Sequence, residues 1–286
     1  MLVIKTISKM REFSRECRRD GSTIVLVPTM GALHRGHLAL AKEANERGDQ
    51  VVVSVFVNKT QFGPEEDFSA YPRTLEQDCE KLEKESLATV VFAPSHEEMY
   101  PDGDPKTWIT VDRLTDHLCG TSRPGHFRGV ATIVTKLFNV CQPDVAVFGL
   151  KDAQQFYIIR KLTADLNLGV DIVGVQTVRE DDGLALSSRN QYLTSEERVQ
   201  APILYQVVAD AKKQIKSGNR NGSEIRELMR SQIQRASLGR LDYAEMVNSV
   251  DFYPIESIES GMTIVAAVAV YFGSARLIDN QIIQVP

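Results

Sequence analysis

The stretch TIVLVPTMGALHRGHLALAKEANER, residues 23–47, contains the change of period on which the fold turns. TIVLV (23–27) is an aliphatic run without polar alternation, the pattern of a strand covered on both faces. HLALAKEANER (37–47) repeats its apolar residues at helical spacing. Between them, PTMGALHRG reads as a tight turn. Small residues there let a ligand approach the backbone, and a helix N-terminus gathers unpaired N–H groups and the positive end of the dipole. His34 and His37 fall at that N-terminus, where they would face an anion such as phosphate. Paired histidines at a helix start also serve as caps or surface residues. A zinc site would need further ligands, which neither a neighbouring Cys nor an H-E-x-x-H pattern supplies.

Outward from this unit the alternation continues. VVVSVFV (51–57), TVVFA (89–93), DVAVFG (144–149) and DIVGVQTV (171–178) read as further strands, with TIVLV as the first. TLEQDCEKLEKE (74–85), VATIVTKLFNVC (130–141) and AQQFYIIRKLTADL (153–166) read as helices. This βαβα order predicts an α/β fold, a Rossmann-like parallel sheet flanked by helices, with ligands at the carboxyl ends of the strands. After residue 176 the pattern changes. A Thr194/Glu197 capping box opens a long helix to about Ser217, and Ser223 caps a shorter one from Glu224 to about Ala236. LDYAEMVNS (241–249), MTIVAAVAVYFG (262–273) and ARLIDNQIIQ (275–284) follow as strands, so residues 1–176 are expected to form a Rossmann-like domain and 177–286 a smaller α+β domain.

A chain of 286 residues with 43% hydrophobic and 25% charged content is an ordinary globular protein. The net charge of −5 disfavours a broad nucleic-acid surface while allowing a local basic pocket. The N-terminus lacks the apolar core of a secretory signal, and MTIVAAVAVYF is too short for a membrane span, so a cytoplasmic location is expected. Cys17, Cys79, Cys119 and Cys141 are scattered, as in a chain of reduced thiols.

Four more stretches carry chemistry. FGLKDAQQ (148–155) follows the DVAVF strand, so Lys151 lies on the same sheet edge as the histidines and can meet phosphates. Asp152 can hold ribose hydroxyls and Gln155 a polar substrate, although Lys151 and Asp152 also read as an exposed loop pair. In LALSSRNQYLT (184–194), Ser187, Ser188 and Arg189 suit a triphosphate, since arginine binds phosphate bidentately. A polar turn into the capped helix is the alternative. VNKTQFGPEEDFSAYPRT (57–74) offers Asn58 and Gln61, and GTSRPGHFRGV (120–130) offers Arg123, His126 and Arg128. The same side chains can instead satisfy turn backbone or pair at the surface.

Together PTMGALHRGH, N-x-x-QF…YPRT, RPGHFRGV, G-x-KD-x-QQ and GLALSSRN resemble, in order and spacing, the pantoate:β-alanine ligase family across essentially the whole chain. The resemblance implies ligation of D-pantoate to β-alanine through a pantoyl adenylate, with ATP and Mg²⁺ and with release of AMP and pyrophosphate. It implies that His34, His37, Lys151, Ser187, Ser188 and Arg189 contact the ATP phosphates. The backbone near Gly149, Val178 and Leu186 would hold adenine and ribose, with Asp152 on the ribose. Gln61 and Gln155 would bind pantoate, beside the Met30 backbone and an apolar wall of Phe56, Ile133 and Val134. Asn58, Tyr71 and Arg123 line the cleft. The family also suggests a homodimer, and a C-terminal domain acting as a lid. Two positions depart from its pattern: Lys59 stands where proline is common, and Leu150 where glutamate is common. An adenylyltransferase of the same Rossmann-like group and an RNA-binding role are the competing readings. The first would release no free AMP, and the second is disfavoured by the net charge.

Overall fold

The computed structural model describes residues 1–64 and 66–286. Its first sheet has six strands, β1 (Leu2–Ile4), β2 (Ile24–Thr29), β3 (Gln50–Val55), β4 (Val90–Phe92), β5 (Val145–Gly149) and β6 (Asp171–Val175), in the order β1-β4-β3-β2-β5-β6. Every pairing in it is parallel. The helices, in chain order, are α1 (Ile7–Arg19), α2 (Arg35–Asn45), α3 (Leu75–Lys84), α4 (His96–Met99), α5 (Cys119–Ser122), α6 (His126–Cys141), α7 (Ala153–Asp165), α8 (Ser195–Gln200), α9 (Ile203–Lys216) and α10 (Gly222–Ile233). A second, antiparallel sheet holds β7 (Gly239–Asn248), β8 (Thr263–Phe272) and β9 (Ala275–Gln284) in chain order.

The α/β class follows from burial. The central residues Val25 to Val27, Val51 to Val53, and Ala146 and Val147 are essentially inaccessible, so these strands need apolar side chains on both faces. Val25, Val27, Val51, Val53, Val91 and Val147 share one cluster with Leu40, Ala41 and Ala44 of α2 and Leu82 of α3. From β2 the chain steps outward to β3 and β4, then returns to place β5 on the other side of β2. The order therefore reverses between β2 and β5, and the carboxyl ends of those two strands flank the switch point at which ligands collect in such sheets.

The chain divides into two compact units, one of 1–111, 123–150 and 158–176, the other of 112–122, 151–157 and 177–286. The sequence boundary at 176 assigned 112–122 and 151–157 to the first domain, whereas here they group with the second unit. Side-chain contacts explain this. The buried Gln154 amide donates to the Leu114 and His117 carbonyls at 2.8 Å and accepts from the Cys119 N–H at 3.1 Å. Arg276 of β9 binds Asp242 of β7 at 2.7 Å, and Ser122 donates to the same carboxylate at 3.1 Å.

Three local expectations are corrected. TIVLV is not the first strand, because β1 and α1 precede it; the charge in every turn of residues 1–17 conceals an amphipathic helix that buries only Met10, Ser14 and Cys17. The Thr194/Glu197 capping box is present, but the helix it opens stops at Gln200 and resumes at Ile203. Pro202 has no N–H for the helical ladder and so breaks it. Finally, Asn221 rather than Ser223 caps α10, accepting from the Glu224 N–H at 3.0 Å.

Candidate active site

In the first unit, the candidate residues are built on the turn after β2. Thr29 Oγ1 donates to the Ser54 carbonyl at 2.6 Å and accepts from the Gly31 N–H at 3.1 Å. Gly31 has φ +80°, and a Cβ there would stand 2.9 Å from Val55 Cγ1, so the turn requires glycine. Ala32, at φ +51°, is strained in the left-handed region. Asp78, fully buried on α3, holds it there. Its carboxylate accepts from the Ala32 N–H at 2.9 Å and the Leu33 N–H at 2.7 Å, while Lys81 donates to the Leu33 carbonyl at 2.7 Å. Asp78 is a supporting residue of this turn that the sequence reading does not name. The available signal was an acid at 78 within the apolar stripe of Leu75, Cys79 and Leu82.

This turn delivers His34 to the N-cap of α2. His34 Nδ1 accepts from the Gly36 N–H at 3.1 Å, and His37 Nδ1 accepts from the His34 N–H at 3.4 Å, a reciprocal capping box with the ring centroids 4.1 Å apart. The capping alternative is thus realised, and it has a chemical consequence. An Nδ1 that accepts a backbone N–H leaves the neutral ring's proton on Nε2, so each imidazole carries one defined donor beside the positive end of a helix dipole.

A second cluster of the first unit centres on Gln61. The segment Lys59–Gln61 forms a single 3-10 turn. Asn58, buried to 1% exposure, braces it with hydrogen bonds: its Nδ2 donates to Gln61 Oε1 at 3.1 Å and to the Gly129 carbonyl at 3.3 Å. Its Oδ1 accepts from Thr60 at 3.0 Å and from the Tyr100 hydroxyl at 2.9 Å. Burial pushes the Tyr100 phenol upward, so it remains a donor at neutral pH. Gln61 Nε2 donates to Met30 Sδ at 3.2 Å, joining the cluster to the turn. Gly129 lets α6 approach closely, since a Cβ there would sit 2.3 Å from the Thr60 carbonyl. Ile133 and Val134, one turn further along α6, are buried, as are Phe56 and Tyr71; Tyr71 packs edge-on against Phe62 at 5.9 Å.

Arg123 pairs with Glu66, through Nε at 2.7 Å and Nη2 at 2.6 Å, and contacts His126 Nε2 at 2.9 Å. His126 Nδ1 in turn lies 2.8 Å from the Gln61 carbonyl. Burial alone would raise the Glu66 carboxyl, but hydrogen bonding and charge from Arg123 outweigh it and hold the group below the ordinary glutamate range. A depressed carboxylate stabilises the fold above its unfolded pKa and loses that contribution as pH falls through the folded value. Glu66→Gln is therefore expected to destabilise by about 1–2 kcal/mol at neutral pH. The gap between thermal melts of the two proteins should begin to close as pH falls below the ordinary glutamate range and vanish only below the depressed Glu66 value, whereas a pH-independent gap would contradict this assignment.

In the second unit, Lys151 and Asp152 occupy a 3-10 turn, Leu150–Asp152, leading into α7, with Nζ 3.9 Å from Asp152 Oδ2. Gln155 is half-buried on the first turn of α7. The Leu186 N–H donates to the Val178 carbonyl at 3.0 Å, closing a hairpin. Ser187 then caps the 3-10 turn Ser188–Tyr192, accepting from the Arg189 N–H at 3.3 Å, and Asn190 Nδ2 ties this turn to the Ala185 carbonyl at 3.1 Å. Among the described residues, no group of three or more His, Cys, Asp or Glu gathers as a metal cage, and no helix is long and apolar enough to cross a membrane.

The family model of the pantoate-beta-alanine ligases matches residues 2–282. A pantothenate synthetase of Salinibacter ruber is 50% identical over 292 residues, covering 100% of this chain and 99% of that protein. One of Thermotoga petrophila is 49% identical over 283 residues, covering 99% of this chain and 100% of its own. The crystal structure of pantothenate synthetase from Thermus thermophilus superposes with a TM-score of 0.90 at 42% identity, covering 98% of this chain and 99% of that one. A pantoate-beta-alanine ligase from Francisella tularensis, complexed with beta-gamma ATP and beta-alanine, gives 0.79 at 33% identity, covering 99% of this chain and 97% of the other. With its parallel sheet, capped histidine pair and full-length match, this chain belongs to the pantoate–β-alanine ligase family of enzymes.

Proposed function

We propose that this enzyme joins D-pantoate to β-alanine in two steps driven by ATP. A pantoate carboxylate oxygen attacks the α-phosphorus, expelling pyrophosphate and forming pantoyl adenylate. The β-alanine amine then attacks the acyl carbon, the C–O bond to phosphate breaks, and AMP leaves with that oxygen. The observation that carries the reading is the capping box at α2, which gives two histidines of fixed tautomer at a helix N-terminus. Because a carboxylate is already a nucleophile, the first step chiefly needs orientation and compensation of negative charge. His34 and His37 serve this through Nε2–H, and Lys151, Ser187, Ser188 and Arg189 through ammonium, hydroxyl and guanidinium groups. The backbone of Gly149, Val178 and Leu186 holds adenine and ribose, with Asp152 on the ribose hydroxyls. Gln61 and Gln155 orient pantoate beside the Met30 backbone, against Phe56, Ile133 and Val134. Asn58 and Arg123 act one step back, by fixing Gln61, and Tyr71 closes the apolar side.

Magnesium retains much of its hydration and prefers phosphate oxygens, so it accompanies ATP as the Mg–nucleotide complex. The enzyme is expected to work as a cytoplasmic homodimer.

With Mg–ATP, pantoate and β-alanine all present, AMP should accumulate together with pantothenate, and omitting either acid should abolish it. Turnover without free AMP would favour the adenylyltransferase reading. Gln61→Ala should raise the pantoate KM about tenfold or more with a smaller change in kcat, the pattern of lost substrate binding. An unchanged pantoate KM in steady-state kinetics would remove Gln61 from this role.

A further inference from the structure

Two adjacent residues of β9, Asp279 and Asn280, are buried polar groups outside the set just described, at 2% and 8% exposure. Both lie in the ARLIDNQIIQ stretch, whose sequence pattern indicated only a strand. Successive strand residues point to opposite faces, and these two reach different functional segments of the same unit. Asn280 Nδ2 donates to the Lys151 carbonyl at 2.8 Å. Asp279 pairs with Arg179 through both guanidinium ends, at 2.6 and 2.9 Å, and its Oδ1 also accepts the Asn280 N–H at 2.7 Å.

Arg179 stands at the root of the hairpin that presents Ser187 to Arg189. Its Nη1 donates to the Gly183 carbonyl at 3.0 Å, its guanidinium lies 4.4 Å from the Tyr205 ring centroid, and residue 179 bridges to Ala185. The Lys151 turn and the Ser187–Arg189 hairpin are well separated in the chain, yet one dipeptide on a paired strand grips the backbone of the first and the base of the second.

We infer that Asp279 and Asn280 are positioning residues for the nucleotide: together they set the spacing between Lys151 and the Ser187–Arg189 turn, so that both engage one polyphosphate. This rests on the proposed nucleotide roles of those residues. A bridging salt link that only stabilised the sheet would need neither the second contact to the Lys151 carbonyl nor a donor at position 280. An amide is required there, because a carboxylate of the same shape would set negative charge against a carbonyl oxygen.

The test compares full-length wild type with Asn280→Asp, Asn280→Ala and Asp279→Asn, each checked for a cooperative thermal melt. Two quantities are read: the Kd of Mg–ATP by calorimetry without pantoate, and ATP and pantoate KM values for pyrophosphate release. Asn280→Asp is expected to weaken ATP binding at least tenfold and to slow adenylation by a similar factor, with the pantoate KM within twofold of wild type. Asn280→Ala should show the same ATP-specific loss at about three- to tenfold, and Asp279→Asn should also lose ATP affinity. Folded variants at position 280 that keep ATP Kd and KM within twofold would overturn the inference. Failure of both position-280 variants to fold would overturn it too, by making the residue a determinant of the core. If the wild type binds ATP but releases no pyrophosphate, the proposed reaction fails, while the ATP Kd values still decide the positioning role.

Discussion

Lys151→Ala is expected to slow pantoyl-adenylate formation by ~10²–10³-fold, the magnitude typical of removing one preorganised group that meets developing negative charge. The carboxylate needs no base and pyrophosphate is a good leaving group, so the barrier is mostly the gathering of anions in one place. The surroundings of Lys151 are consistent with the proposed role. Its side chain is 22% exposed, its nearest carboxylate is 3.9 Å away, and its carbonyl is pinned by Asn280 at 2.8 Å. The lysine is only partly buried, so its loss should change stability by no more than about 0.5 kcal/mol, which separates a catalytic defect from a folding one. Single-turnover pyrophosphate release from Mg–ATP and pantoate measures the effect directly. Wild-type rates in the variant would refute charge compensation by this residue.

Asp78→Asn should cost about 3 kcal/mol of stability, because charged hydrogen bonds to two backbone N–H groups weaken at a fully buried site. The substitution preserves shape but replaces one of the two acceptor oxygens with an NH2 donor, so it tests the charge together with the loss of one backbone hydrogen bond. It should also reduce activity at temperatures where the fold is intact, since Asp78 holds Ala32 in its strained conformation, and residues 31–33 connect Met30 to the N-capping His34. Denaturant unfolding gives the first quantity and kcat/KM at 25 °C the second. A destabilised variant with full activity would show that the turn keeps its form without the carboxylate.

The parallel sheet was legible because buried strands announce themselves as unbroken aliphatic runs, and TIVLV, VVVSVFV and DVAVFG lie within a residue or two of β2, β3 and β5. α1 escaped notice because its apolar face is narrow. The break at Pro202 was written in the sequence and overlooked beside a strong capping box. The chemistry of His34 and His37 was only half visible. Their place at a helix start follows from the pattern, whereas the reciprocal cap that fixes both tautomers depends on backbone geometry that no spacing rule encodes. The supporting residues were hidden for a different reason. Asp78 and Asn280 act on groups in segments far away in the chain, 45 and 129 residues from themselves. Such contacts leave only a faint trace, a polar side chain where an apolar one would fit.

The adenylate is tested most directly by the fate of one oxygen. Pantoate labelled with ¹⁸O in its carboxylate should deliver a single ¹⁸O atom to AMP during turnover with β-alanine, because the oxygen that attacks the α-phosphorus leaves with it when the acyl C–O bond breaks. Mass spectrometry of the AMP reads this. Label recovered in inorganic phosphate, with ADP as the nucleotide product, would mean an acyl phosphate and attack at the γ-phosphorus, and would contradict the mechanism.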